Sequence, residues 1–163
     1  MDTAKKIVTL EDLVNRLGKV RKSGRKIVFT NGCFDIMHVG HVRYLAEARS
    51  QGDMLVVGLN SDGSMRTLKG EKRPIVRQDH RAEVLASLAC VDYVVLFEEP
   101  DPLRLIQTIK PDVLVKGEDW AADAIIGADD VKSRGGKIVR ISFVEETSTT
   151  GIIQTILQRY QGD

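Results

Sequence analysis

Cysteine is scarce in this chain, two in 163 residues (Cys33 and Cys90), and neither belongs to a CxxC. A disulfide framework is therefore excluded, and a reducing, cytoplasmic setting is expected. Long apolar runs are missing as well. None approaches the roughly 18–20 residues of a membrane span, and the start, Met1 to Lys6, leads into no apolar h-region, so neither an anchor nor a secretory leader is expected. Charge of one sign is not in excess: 24 Lys and Arg stand against 23 Asp and Glu, a formal net charge of +1. That leaves no overall basic field for a nucleic acid polymer, and aromatics at 5% offer few faces for base stacking. Three signatures are also absent. Without G-x-x-x-x-G-K-[ST] there is no P-loop, without G-x-G-x-x-G after the first strand a dinucleotide fold is disfavoured, and without G-x-S-x-G an α/β-hydrolase is excluded.

Apolar residues at 42% and charged residues at 29% describe a globular chain of one domain. Short apolar runs, rich in β-branched residues, recur at Ile27–Phe29, Met54–Leu59, Val91–Phe97, Val113–Val115 and Ile138–Val144. The first four are nearly unbroken, as strands buried on both faces require. Helical patterns lie between them. Thr9 opens one carrying Leu10, Leu13, Val14 and Leu17 on one face, with Asp12 placed to answer the cap. Asp101-Pro102 reads as a cap followed by proline at the first helical position, and Gly135-Gly136 ends a helix starting near Asp123. The alternation predicts a Rossmann-like open parallel sheet of five strands, with helices on both faces and about seven helices in all. Residues 1–24 form a helical extension and 25–163 the α/β core. In such sheets ligands bind beyond the carboxyl ends of the strands, so the segments that follow each strand hold the candidate site.

Four segments qualify. After the first strand runs Thr30-Asn31-Gly32-Cys33-Phe34-Asp35-Ile36-Met37-His38-Val39-Gly40-His41, in which Asn31-Gly32 is a turn signal and a helix begins near Val39. His38 and His41 then share a face of its first turn, beside free N–H groups that favour phosphate, and Gly40 lets a ligand approach the backbone. Two imidazoles there can donate to phosphate oxygens and stabilise developing charge. The same spacing is met by histidines that merely line a helix. Cys33, His38 and His41 as a metal site lack a usual zinc spacing and a fourth ligand.

After the second strand come Asn60-Ser61-Asp62 and then a loop punctuated by Gly70 and Pro74. Its cations are Lys69, Lys72, Arg73 and Arg77, with Arg81 in the helix that starts near Asp79. The run reads as a phosphate clamp or as a solvated basic loop. Lys116-Gly117-Glu118-Asp119-Trp120 follows the fourth strand and suits a purine or sugar ring, or simply a tryptophan plug. Thr147-Ser148-Thr149-Thr150-Gly151 follows the fifth. Ser148 is a natural N-cap, and the hydroxyls beside free N–H groups make a second anion site or a plain helix cap.

Taken together, His38-Val39-Gly40-His41 and Ser148-Thr149-Thr150 resemble the H-x-G-H and S-T-T signatures of the cytidylyltransferase-like nucleotidyltransferases. Within that superfamily the chain is similar to the D-glycero-β-D-manno-heptose 1-phosphate adenylyltransferases, the C-terminal half of bifunctional ADP-heptose synthases. That likeness extends over residues 8–160, through Thr30–Asp35, Asn60–Asp62, Leu68–Gly70, Arg73-Pro74 and Val113–Gly117. Glycerol-phosphate cytidylyltransferases usually carry R-T-x-G-I-S-T-T before the last helix. Here that stretch reads Phe143-Val144-Glu145-Glu146-Thr147-Ser148-Thr149-Thr150, and the missing arginine fits the heptose group better. Many heptose enzymes have a tyrosine where Trp120 stands.

The resemblance implies transfer from ATP to a heptose 1-phosphate, giving ADP-heptose and pyrophosphate toward the lipopolysaccharide inner core. It also implies Mg²⁺ carried mainly by substrate phosphates with no dedicated protein metal site, a homodimer or larger homo-oligomer, and a separate kinase supplying the sugar phosphate. His38, His41 and Lys72 are then the expected catalytic residues. Nucleotide contacts are expected from Asn31, Gly32, Cys33, Phe34, Asp35, Gly40, Arg81, Gly117, Asp119, Trp120, Ser148, Thr149 and Thr150, and acceptor contacts from Asn60, Asp62, Lys69 and Arg73. Two alternatives stand beside this: a cytidylyltransferase acting on glycerol 3-phosphate or another phosphorylated alcohol, and a non-catalytic nucleotide sensor.

Overall fold

The structure, a computed structural model, describes residues 3–118, 121, 124–142 and 148–161. Five parallel strands form its sheet: β1 (Ile27–Gly32), β2 (Met54–Asn60), β3 (Tyr93–Phe97), β4 (Val113–Gly117) and β5 (Lys137–Ile141), in the spatial order β3-β2-β1-β4-β5. Seven α-helices surround it among the described residues: α1 (Leu10–Lys22), α2 (Val39–Ser50), α3 (Asp62–Lys69), α4 (Gln78–Ser87), α5 (Leu103–Ile109), α6 (Ala128–Ser133) and α7 (Thr149–Tyr160), preceded by a 3₁₀ turn at Thr3–Lys6. No helix of the described residues is long and apolar enough to cross a membrane.

Alternate side chains of the strands build two cores. Ile27, Phe29, Met54, Val56, Val95, Phe97 and Leu114 face α1, α5 and α6, and meet Leu13, Leu17, Leu105, Ile106, Ile109 and Val131. Val28, Leu55, Val57, Leu59, Val94, Val113 and Val115 face α2 and α4, and meet Tyr44, Leu45, Ala48, Ala82, Leu85 and Ala86. Burial on both sides accounts for the unbroken apolar runs. At the amino end of the sheet three aspartates receive otherwise unpaired strand amides: Asp53 from Lys26, Asp112 from Ile27 and Asp92 from Leu55, at 2.7–2.8 Å.

Several boundaries differ from the sequence reading. Asn31-Gly32 is not a turn; both residues continue β1, paired with Gly58 and Leu59, and the chain turns only at Phe34, whose φ is +45°. Leu68 and Lys69, read as part of the basic loop, are instead the last residues of α3, which is capped by Ser61 accepting from the Ser64 amide. Helix α5 begins one residue later than expected, with Asp101 accepting from the Leu103 amide at 2.8 Å. Helix α6 begins at Ala128, because Gly127 at φ +82° ends the preceding turn, and Asp123 lies outside the described residues. The Thr9 cap stands as expected, accepting from the Asp12 amide at 3.1 Å.

After β3 the chain returns through α5 to the far side of β1. The connections leaving β1 and β4 therefore part in opposite directions above their strands, opening a crevice at the carboxyl end of the sheet.

Candidate active site

A cavity of about 520 Å³ fills that crevice, a volume typical of small-molecule sites. Asn31 to Asp35, His41 and Tyr44 form one wall. Asn60, Leu68, Lys69 and Arg73 form a second, Pro100 to Pro102 with Ile126 a third, and Lys116, Gly117, Thr149 and Thr150 close it. It thus gathers residues at the ends of, or following, all five strands.

The β1 segment is shaped around its glycine. A Cβ at Gly32 would lie 2.9 Å from the Phe34 ring, so the left-handed turn at Phe34 can fold its ring back only over a bare backbone. That ring meets His41 edge-on at 5.2 Å between centroids, and His41 stacks on His38 at 3.8 Å and 26°. His38 is the N-cap of α2, yet its side chain accepts nothing from the helix, leaving the first-turn amides without a side-chain cap. The Nδ1 atoms of both histidines are buried with no hydrogen-bond partner. Burial, and then the neighbouring His38, push the His41 pKa down to about 4, and burial lowers that of His38. At neutral pH the pair is uncharged, and each ring carries one N–H to donate.

At the other helix start, Ser148 accepts from the Gly151 amide at 3.0 Å, and Thr149 donates its hydroxyl to the carbonyl of Ile36 at 3.3 Å. The three hydroxyls therefore divide: Ser148 serves its own helix, whereas Thr149 and Thr150 line the cavity. The Thr149 contact ties α7 to the segment just before His38, so both helix beginnings border the same space.

The cations divide as well. Lys69 and Arg73 line the cavity, whereas Lys72 is exposed away from its lining and Arg77 pairs with Asp79. Arg81 lies beneath the site, its side chain 0% exposed and bound to Asp62 at 2.7 Å, so neither residue of that pair lines the cavity. Gly40 is buried in the first turn of α2, and Gly117 lies on the wall. Asn60 lines the cavity while donating to Ser64 at 3.0 Å, and its amide oxygen faces the Cys33 thiol at 3.9 Å. Burial raises the Cys33 pKa, so the group is a thiol at neutral pH. Asp119, Trp120 and Thr147 lie outside the described residues.

Sequence reasoning named Lys116 in the segment after the fourth strand without giving it a role, and passed over Tyr44 and the Pro100–Pro102 wall. Lys116 is buried at the end of β4, and its ammonium donates to the side-chain oxygen of Asn31. A lysine closing a buried apolar strand was the available signal, because such a charge needs a polar purpose. Tyr44 follows His41 by one helical interval, and its hydroxyl shares a 2.7 Å hydrogen bond with Thr30.

A family model described as Cytidylyltransferase-like matches residues 29–155. The chain is 54% identical over 159 residues to the bifunctional protein HldE of Geobacter metallireducens, covering 98% of this chain and 32% of that protein. It is 57% identical over 152 residues to the HldE of Campylobacter concisus, covering 93% and 30%. The chain thus spans about a third of the length of the curated relatives it matches. A crystal structure of the lipopolysaccharide core biosynthesis protein from Thermoplasma volcanium superposes with a TM-score of 0.62 at 32% identity, covering 74% of this chain and 99% of that one.

Proposed function

The chain belongs to the cytidylyltransferase-like family, and from that premise we propose that it transfers the adenylyl group of ATP to D-glycero-β-D-manno-heptose 1-phosphate, releasing pyrophosphate and forming ADP-heptose for the lipopolysaccharide inner core. The observation that carries the proposal is the meeting of two helix N-termini on one cavity, with His41 on one side and Thr149 and Thr150 on the other. Such a pair suits a polyphosphate, whose charge each terminus attracts and whose oxygens each can bind. Likeness to HldE proteins and to a lipopolysaccharide core biosynthesis protein supports heptose as the sugar.

In this reading an oxygen of the sugar phosphate attacks the α-phosphorus of ATP in line. A P–O bond forms there as the bond to the β-phosphate oxygen breaks, and the electron pair leaves with pyrophosphate. The nucleophile is anionic at neutral pH, so the protein needs no general base. Its work is alignment and charge stabilisation. Neutral His41 donates to a phosphate oxygen, stacking by His38 fixes the orientation of its ring, and the α2 amides add their N–H groups. Thr149 and Thr150 hold oxygens from the opposite side, and Lys69, Arg73 and Lys116 balance charge on the acceptor and pyrophosphate. Gly117 borders the base and ribose.

Magnesium suits this site as a passenger on the phosphates. Among the described residues no three His, Cys, Asp or Glu side chains are grouped to hold a metal, and of the two cavity carboxylates Asp35 is already occupied by protein donors, so Asp101 is the one that would help to hold the ion. Bound there, the ion would neutralise phosphate charge. The acceptor would come from a kinase acting on the anomeric hydroxyl of the heptose, and we place both steps in the cytoplasm, with this chain in a homodimer or larger assembly.

The deciding assay measures pyrophosphate release with ATP or CTP against β- and α-heptose 1-phosphate and glycerol 3-phosphate, with the product identified by mass. ADP-heptose from ATP and the β anomer is expected. A preference for CTP with glycerol 3-phosphate would replace this reading with the cytidylyltransferase one, and ATP binding without turnover of any acceptor would make the protein a sensor.

A further inference from the structure

We propose that Asp35 and Arg81 are positioning residues that fasten the cationic strap of residues 70–77 to the segment after β1, setting the strap's cavity-facing arginine before any substrate arrives. The proposal deepens the transferase reading and rests on it only for its kinetic arm.

Asp35 is on the cavity wall, yet its carboxylate is 1% exposed and turned to the strap. It accepts from the backbone amides of Ile75 and Val76, each at 2.9 Å, and from Arg73 Nε at 2.5 Å. A bare carboxylate in a phosphate cavity would repel its ligand; three donors make this one a neutralised anchor. Burial pushes the Asp35 carboxyl up, but the Val76 and Ile75 amides and the Arg73 guanidinium outweigh it and hold the group below the usual carboxylate range. Arg73 in turn lines the cavity with its Nη groups unpaired among the described residues.

Arg81 makes the same connection with opposite polarity. From within α4 it donates Nη1 to the Cys33 carbonyl at 2.5 Å, Nε to the Val76 carbonyl at 2.9 Å and Nη2 to Asp62 at 2.7 Å. Asp62 accepts that bond at the first turn of α3, while its amide donates to Gln78 Oε1 at 2.8 Å. Thus one anion and one cation, both buried, each bridge residues 33–35 to the strap at Val76, from the amide side and the carbonyl side. Lysine, whose three N–H groups radiate from one nitrogen, could not reach three acceptors placed in these directions. Three of the five guanidinium N–H groups are engaged in this way and the side chain is fully covered, so none is presented to a phosphate in the cavity.

The test uses Asp35→Asn and Arg81→Lys in the full chain, each checked for folding by circular dichroism and thermal melting. In the free protein, hydrogen exchange at Ile75 and Val76 should accelerate by about tenfold or more in either variant, the scale of a lost charge-assisted hydrogen bond, while β2 and β3 amides stay protected. The kinetic arm uses ATP with whichever acceptor turns over. Asp35→Asn should raise the KM of the phosphorylated acceptor more than it lowers kcat, and its effect should largely vanish in an Arg73→Met background, since both act through the same arginine. Unchanged exchange at 75–76, or effects of Asp35→Asn and Arg73→Met that simply multiply, would overturn the proposal. If Asp35→Asn does not fold, exchange in Arg81→Lys decides it. Because exchange needs no substrate, a failed transferase assignment leaves that arm intact and is told apart from a failed strap.

Discussion

Acidification from pH 7.5 to 5 probes the histidine pair. Folded His41 has a pKa of about 4, against 6.5 for an unperturbed ring. Between those values the unfolded chain binds more protons than the native one, so stability must fall as pH falls through the window. At pH 5 the unfolded ring is almost wholly protonated and the folded one about a tenth so, a difference of about 2 kcal/mol by linkage. The ring is only partly buried, and solvent screening reduces this to about 1 kcal/mol. His38 shifts in the same direction, whereas the carboxyls of Asp35 and Glu99 are held below their ordinary values and titrate beneath the window.

Urea unfolding followed by circular dichroism at both pH values, for the wild type and His41→Gln, isolates the contribution. The wild type should lose about 1 kcal/mol more than the variant on acidification. Equal losses would refute the buried, neutral imidazole. A corollary concerns binding: phosphate against the ring favours its protonated form, so nucleotide binding at pH 6 should take up protons. Calorimetry in buffers of different ionisation enthalpy would read this, and proton release would contradict it.

Three further outcomes follow from the geometry. His41→Ala should lower kcat by about 10²–10³, the usual loss of one transition-state donor, and a fall below about threefold in a folded variant would remove His41 from the chemistry. Lys116→Met keeps the length of the chain but deletes its charge beside Asn31, and kcat/KM should drop by about 10–100-fold; a change within about twofold would leave Lys116 a structural role only. Gly58→Ala would put a Cβ 2.9 Å from Phe29, 3.1 Å from Leu105 and 3.2 Å from Asn31. Urea denaturation should show it less stable by about 1–3 kcal/mol, and a neutral result would mean that β1 yields more easily than its burial suggests.

The first four strands were legible because their largely buried residues read as nearly unbroken apolar runs, and α2 because its start at Val39 lies within the glycine-bearing histidine motif. What escaped depended on contacts remote in sequence. Asn31-Gly32 carries a local turn signal, but ladder pairing with β2 opposite a side-chain-free Gly58 extends β1 instead. Helix α3 buries only Ser64 and Met65 along its eight residues, too little periodicity to mark it. Among the cations, spacing could not separate the surface residue Lys72 from the cavity residue Arg73 or the covered Arg81, because burial of an arginine depends on where distant carbonyls and carboxylates fall. Lys116 was named after the fourth strand, but its role was not legible, because its contact with Asn31 spans 85 positions of sequence.

The outward-then-back path of the chain around β1 has a consequence for biogenesis. The three strands from Ile27 to Phe97 are adjacent in space and consecutive in sequence, so they can gather while the rest is still being synthesised. The hydroxyl that closes the crevice, on Thr149, bonds to a carbonyl 113 positions earlier. The crevice therefore stays open on that side until α7 has been synthesised, long after the three strands that floor it.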